Sequence, residues 1–394
     1  MAATAPRIIS VDDHLIEPPD LFEGRMPAAL ADRAPRVVEF PDGRQAWQYE
    51  GKLFANVGLN AVAGRPREEW SMEPARFDEM RPGCYDIAAR VKDMDAGGIW
   101  SSLCFPSLIA GFCGAVFSQS EDPELGLACV RAWNDWHLEV WAGSYPGRII
   151  PLQLTWLNDP SVAAAEVRRN AERGFKAVSF AELPSKLRLP SLHSGAWDPF
   201  LAACEETGTV VCLHTGSSGW APIPSPDPPF ELFPTLFPAS SLVAATDWLW
   251  SGVCVRFPGL RIAMSEGGIG WVVMLADRAD YVLDHSASGS ESNSWKGDLR
   301  PSEVLARNFW FCTIDDPGSV DGVIAKMGPD HVMVESDFPH ADSTWPTTEA
   351  TVKANFGHLP DDVIRKVTAE NAAELFGVAL PPQWSLSQER LQVS

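Results

Sequence analysis

Basic residues are the scarce class in this chain. Lys and Arg number 31 against 52 Asp and Glu, a formal charge of −21. That balance argues against nucleic acid and anionic membrane surfaces as partners, because both are bound through clustered cations. No CxxC pair occurs among the eight cysteines. Several of them, such as Cys212 and Cys312, stand inside apolar strand-like runs, and the expectation is buried free thiols in a reducing cytoplasm. The first residues lack the basic and apolar regions of a signal peptide. No apolar run reaches the roughly 18 residues of a membrane helix. The chain reads as soluble and cytoplasmic. No GxGxxG follows an early strand, which counts against a dinucleotide fold, and neither a fixed-period repeat nor a low-complexity block is present.

What is present is alternation. Short β-branched runs at Ile8–Asp12, Ile99–Phe105, Arg148–Leu154, Lys176–Ala181, Thr209–His214, Leu260–Glu266, Asn308–Thr313 and His331–Asp337 read as eight strands. Amphipathic stretches at Asp86–Ala96, Pro123–Ala142, Pro160–Arg173, Trp197–Glu206 and Ile269–Leu283 read as helices between them. Eight βα units predict an α/β fold of the closed (β/α)8, or TIM, barrel type, with residues 1–394 forming one domain. Two insertions depart from the repeat. Residues 15–80 hold a hairpin turning at Pro-Asp-Gly. Residues 215–238, after strand five, are too proline-rich for a helix and are expected to form a lid or a subunit contact. The tail over 380–394 is polar.

In such a barrel the C-terminal strand ends converge on the active-site face. Here those ends carry Asp12-Asp13-His14, Glu182, His214, Glu266 and Asp337, with His340 three residues further on. One ionisable strand end is weak evidence, but five of eight form a pattern. Crowded carboxylates repel unless a cation neutralises them. Asp12 and His14, at i and i+2, leave a strand on one face and make a two-ligand clamp.

The segments VDDHLIEPPDLF, LHTGSSG and ESDFPHADSTWP, in that order, resemble the decarboxylase-like branch of the amidohydrolase superfamily, from about residue 8 to residue 377. In that branch a strand-one pair, a His after strand five and an Asp after strand eight hold the metal. The resemblance therefore implies Asp12, His14, His214 and Asp337 as ligands. It also sets Glu182 where binuclear members place a bridging carboxylate or carbamylated lysine. Two positions depart from the branch. Asp12 replaces the commoner His or Glu, and Glu266 stands where the branch carries a His for acid–base work or metal binding.

Four carboxylates (Asp12, Glu182, Glu266, Asp337) and up to three imidazoles (His14, His214, His340) suit iron or manganese, one or two per chain, better than zinc, which is the alternative. In this the site resembles the non-haem dinuclear monooxygenases of the amidohydrolase fold, of the 2-aminoisobutyrate hydroxylase and platensimycin-pathway diterpenoid hydroxylase type. That resemblance implies hydroxylation of an unactivated carbon of a small or apolar acid, using dioxygen and an electron donor. Asp337, Glu266 and His340 are then the catalytic candidates. Two alternatives remain on the same ligands: hydrolysis of an amide, ester or lactone, and non-oxidative decarboxylation of an aromatic acid. A catalytically dead subunit paired with a homologue is a further class, opposed by the full ligand set. The expected assembly is a homodimer or a hetero-oligomer with a homologue.

Trp220, Trp345, Phe230, Phe233 and Phe237 are expected to wall an apolar pocket or to make a dimer interface. Packing is expected for His193 and for His137. Surface or capping roles are expected for His285, His331 and His358.

Overall fold

The computed structural model describes residues 7–70, 76–286 and 295–381, so the expected tail lies outside the described residues beyond 381. Eight parallel strands form a (β/α)8 barrel: β1 (Ile8–His14), β2 (Ile99–Phe105), β3 (Ile149–Ile150 and Leu152–Leu154), β4 (Ala177–Phe180), β5 (Val210–His214), β6 (Ile262–Ser265), β7 (Phe309–Thr313) and β8 (Val332–Val334). The third strand was expected to be continuous. Pro151 divides it, because proline has no N–H to give to a ladder. Its first half pairs with β2 and its second with β4, while the Pro151 carbonyl accepts from Lys176 and Ala177. The circle closes between β8 and β1, where Ser336 N donates to Ser10 Oγ at 2.9 Å. Asp337 N likewise donates to the Asp12 carbonyl at 2.9 Å.

Alternation along the strands separates two cores. Val211, Leu213, Ile262, Met264, Phe309 and Phe311 face the surrounding helices, whereas Val210, Cys212, Ala263, Cys312 and Met333 pack together with Ile9 and Val11 in the other set. All eight cysteines are free and buried. Around the barrel lie α1 (Ile87–Gly97), α2 (Pro123–Trp136), α3 (Pro160–Arg173), α4 (Asp198–Thr207), α5 (Phe237–Trp250) and α6 (Val272–His285). Asp86, Asp122 and Asp159 cap α1, α2 and α3 with their side chains, satisfying N–H groups that a helix start leaves open. The stretch expected as one helix to Ala142 is α-helical to Trp136 and continues as a π-turn over His137–Ala142.

The insertion before α1 is a three-stranded antiparallel meander, Arg36–Glu39, Gln45–Tyr49 and Lys52–Phe54. The expected hairpin thus gains a third strand through the turn at Glu50 and Gly51, whose φ values of 48° and 74° are left-handed. Trp47 and Tyr49 anchor it in a separate core with Phe22 and Phe117. The proline-rich segment is irregular only in its first part. Leu232–Thr235 is a helical turn and α5 starts at Phe237, with Pro238 in its first turn, where the missing N–H costs nothing.

Among the described residues no helix is long and apolar enough to cross a membrane.

Candidate metal centre

The barrel mouth gathers the strand-end residues. A register shift in β1 between Ser10 and Asp13 changes which face the strand presents. Ile9 and Val11 pack in the apolar core, while Asp12 and His14 both reach the site. A bulge next to an active site re-aims side chains in this way. Glu266 and Asp337 sit just past β6 and β8 with φ of 60° and 53°. Such backbone is strained for any residue with a Cβ, and is tolerated where the surroundings hold it.

His14 and His214 bring their Nε2 atoms to 3.1 Å of each other. His14 Nε2 lies 3.7 Å from Asp12 Oδ1 and 3.3 Å from Asp337 Oδ1. His214 Nε2 lies 3.6 Å from Asp12 Oδ2 and 3.3 Å from Glu266 Oε2. His340 sets Nδ1 at 2.9 Å from Asp337 Oδ1, and its ring lies 4.0 Å from that of His14. Three groups have ligand atoms within 4.8 Å of one another: Asp12, His14 and His214; His14, Asp337 and His340; and Glu266, Asp337, His340 and Asp342. Glu182 belongs to none of them. It is buried at the tip of β4, with Oε1 accepting from the Gly216 N–H at 2.8 Å.

Electrostatics makes this cluster costly without a cation. Burial drives the Asp12 carboxyl well up, and Glu335, Asp337 and Glu266 push it further. Glu266 is raised by burial and then by Asp337. Burial, helped by His340, lowers His14 to about 4, and burial with His14 takes His214 well below its usual range. For Asp337 burial acts upward, but His340 and His14 outweigh it and hold the carboxyl below its usual range. Burial alone raises Glu182 to about 8 against the Gly216 hydrogen bond.

The residues fit a divalent cation. Both carboxylate oxygens of Asp12, and Nε2 of His340, are buried without a hydrogen-bond partner, a state that proteins avoid unless something else neutralises it. His214 Nδ1 is paired with the Thr215 carbonyl at 2.6 Å, so its proton sits there and Nε2 is left as a lone pair, the usual arrangement of a ligating histidine.

Several residues at the site had no place in the sequence reading. Glu335 is buried two positions before Asp337, with Oε2 accepting from the Glu266 N–H at 3.2 Å and Oε1 unpartnered. Its i, i+2 relation to Asp337 mirrors that of Asp12 and His14 and was a readable signal. Asp342 stands at the exposed rim. Phe112 stacks on His214 at 4.5 Å, and nothing in a loop phenylalanine announces that.

Other expected site residues lie elsewhere. Trp345 is buried outside the mouth, its Nε1 bonded to the Asp93 carbonyl at 2.7 Å and its ring under Arg81. Trp220 lies under Lys186, and Phe230 and Phe233 are exposed. Phe237 meets Phe233 edge-on at 5.1 Å. His193 is exposed and pairs with Asp247 rather than packing. His358 pairs with Asp321, His285 stacks on Tyr281, and His331 bonds the Phe309 carbonyl.

The amidohydrolase family model matches residues 30–378. Among curated proteins, a 6-methylsalicylic acid decarboxylase of Penicillium expansum is 27% identical over 199 residues, covering 47% of this chain and 55% of the relative. The chain thus matches only about half the length of that relative. Among solved structures, an amidohydrolase from Mycobacterium avium subsp. paratuberculosis K-10 superposes with a TM-score of 0.75 at 24% identity, over 96% of this chain and 99% of that one. A dihydroxybenzoic acid decarboxylase from Polaromonas sp. JS666, with bound manganese and the inhibitor 2-nitroresorcinol, gives 0.65 at 16% identity over 95% and 97%.

Proposed function

Since this chain belongs to the amidohydrolase family, we propose that its barrel mouth is a divalent-cation centre that removes the carboxyl group of an aromatic or unsaturated acid without oxidation. The observation that carries this reading is the separation of two parts at one site. Asp12, His14, His214 and Asp337 form a cage around the close pair of imidazole Nε2 atoms, and Glu266 adds a carboxyl 3.3 Å from His214 Nε2. The decarboxylases among the relatives support the same chemistry, and the manganese of the Polaromonas enzyme supports a metal of that kind. A carboxylate-rich ligand set favours manganese or iron over zinc.

When bound, the cation supplies a Lewis acid that orients the substrate's carboxylate and balances its charge. The chain does the rest. Thr215 fixes the His214 tautomer, and Phe112, stacked on His214, sets an apolar wall beside it. As the bond between ring carbon and carboxyl breaks, carbon dioxide leaves and the electron pair remains on the ring carbon. Glu266, as a carboxylic acid, delivers the proton that carbon takes up, the task for which the branch otherwise uses a histidine. The test is incubation under argon, in deuterated water, with a panel of hydroxylated benzoates. Release of carbon dioxide with one deuterium in the product supports the reading, and turnover that requires dioxygen and a reductant overturns it.

A second reading rests on the group of Glu266, Asp337, His340 and Asp342, whose ligand atoms lie within 4.8 Å of one another. A second cation held there, with Asp337 shared, suits dioxygen-dependent hydroxylation fed by an electron donor. The two readings part at Glu266, which is a free acid in the first and a ligand in the second.

A further inference from the structure

Asp337 carries the heaviest demand at the site. It closes the ligand cage while its backbone has a φ of 53°, a conformation that persists only where neighbours enforce it. The neighbour that does so is Asp13, a fully buried residue that belongs to none of the ligand groups. Asp13 Oδ1 accepts from Ser336 Oγ at 2.5 Å and from the Phe338 N–H at 3.0 Å, so it grips the chain on both sides of Asp337. Its Oδ2 accepts from Ser102 Oγ on β2. Arg90, also buried, backs the arrangement. Its Nη2 donates to the His14 carbonyl, its Nε donates to Gly83 O at 2.7 Å, and its guanidinium covers the Phe338 ring at 4.5 Å.

From these contacts we infer that Asp13 is a positioning residue, one that holds Asp337 and the tip of β1 in metal-binding geometry without touching the metal or the substrate. One buried carboxylate ties β1, β2 and the segment after β8 together, and the strained ligand lies at the centre of its grip. Outer partners of ligating residues typically control affinity by about 10–100-fold. The inference rests on the reading of the mouth as a cation centre, and its test separates the two.

The experiment measures manganese affinity and the electron paramagnetic resonance spectrum of the bound ion in the full-length wild type, Asp13→Ala, Ser336→Ala and Asn308→Ala. Asn308 is a stability control. It is buried at the opposite end of β7, bonding the carbonyls of Pro258 and Leu260. Asp13→Ala is expected to weaken manganese binding at least 10-fold and to alter the spectrum, Ser336→Ala to weaken it by a smaller factor, and Asn308→Ala to lower Tm with affinity unchanged. If Asp13→Ala does not fold, Ser336→Ala and Asp13→Asn carry the test by the same criteria. Wild-type affinity and spectrum in the Asp13 and Ser336 variants overturn the inference, as does an equal loss of affinity in Asn308→Ala. A wild type that binds no divalent cation overturns the site itself, and the inference with it.

Discussion

His14 and His214 face each other Nε2 to Nε2 at 3.1 Å, from strands on opposite sides of the barrel mouth. Two neutral imidazoles form a hydrogen bond at that separation only if one of them donates, and the His214 proton is already engaged at Nδ1 with the Thr215 carbonyl. Two nitrogens bound to one cation at about 2.1 Å each stand roughly 3–3.5 Å apart. The distance also suits two ligands on a shared ion, the arrangement proposed for this centre.

Removing one of them should abolish the centre. His214→Ala is expected to lower cation affinity by more than the roughly 10–100-fold typical of an outer partner. In the wild type, chelation should lower Tm, since a cation at 100 times its Kd stabilises the folded state by about 2.7 kcal/mol. Calorimetry with and without chelator checks both, and His214→Ala should lose the chelator effect.

Glu266→Gln distinguishes acid from ligand. With Glu266 as the proton donor, the variant keeps its cation content and loses about 100-fold or more in turnover, the scale of general acid catalysis. A drop in bound metal would mark Glu266 as a ligand.

Gly267→Ala should disturb the same residue through packing. A Cβ there would lie 1.9 Å from Ser241 Oγ and 2.4 Å from Ser241 Cβ, and Ser241 is itself held by Thr215 at 2.7 Å. Overpacking of this kind costs about 1–3 kcal/mol. The expected result is a lower Tm together with reduced turnover, because the shifted backbone carries Glu266. Thermal melts and steady-state kinetics check it.

His137 predicts an acid sensitivity separate from the site. It is fully buried, stacked on Trp133 at 4.9 Å, and neither ring nitrogen has a partner. Burial lowers its pKa from 6.5 to about 3. The unfolded chain then binds the proton first, so this contribution to stability is complete above about pH 6.5 and is lost as pH falls from there towards 3. His137→Phe should keep or raise stability at pH 7 and flatten the decline between pH 6.5 and 3. Denaturant melts across that range test it.

The barrel was legible because its strands are short buried β-branched runs, and those runs show even where helices between them do not. The ligands were legible because ionisable residues end apolar runs, as His214 ends VVCLH. What escaped depends on contacts between distant segments. Glu335 becomes part of the site only when β8 closes against β1 and the Glu335 side chain reaches across to the Glu266 N–H beyond β6. Asp13 reads as a neighbour of Asp12 until the β1 bulge turns it onto Ser336 and Phe338. The start of α5 was hidden because Pro234 and Pro238 sit in first turns, where proline is tolerated. Trp345 looked like a pocket wall by its loop position, and its bond to the Asp93 carbonyl places it in the packing behind the site.

The most direct measurement is the number of metal atoms per chain, by elemental analysis of protein purified without chelators or affinity nickel, for the wild type and Glu266→Gln. The account predicts about one divalent cation per chain in both. About two in the wild type, falling to one in Glu266→Gln, would contradict it and establish Glu266 as a ligand of a second ion.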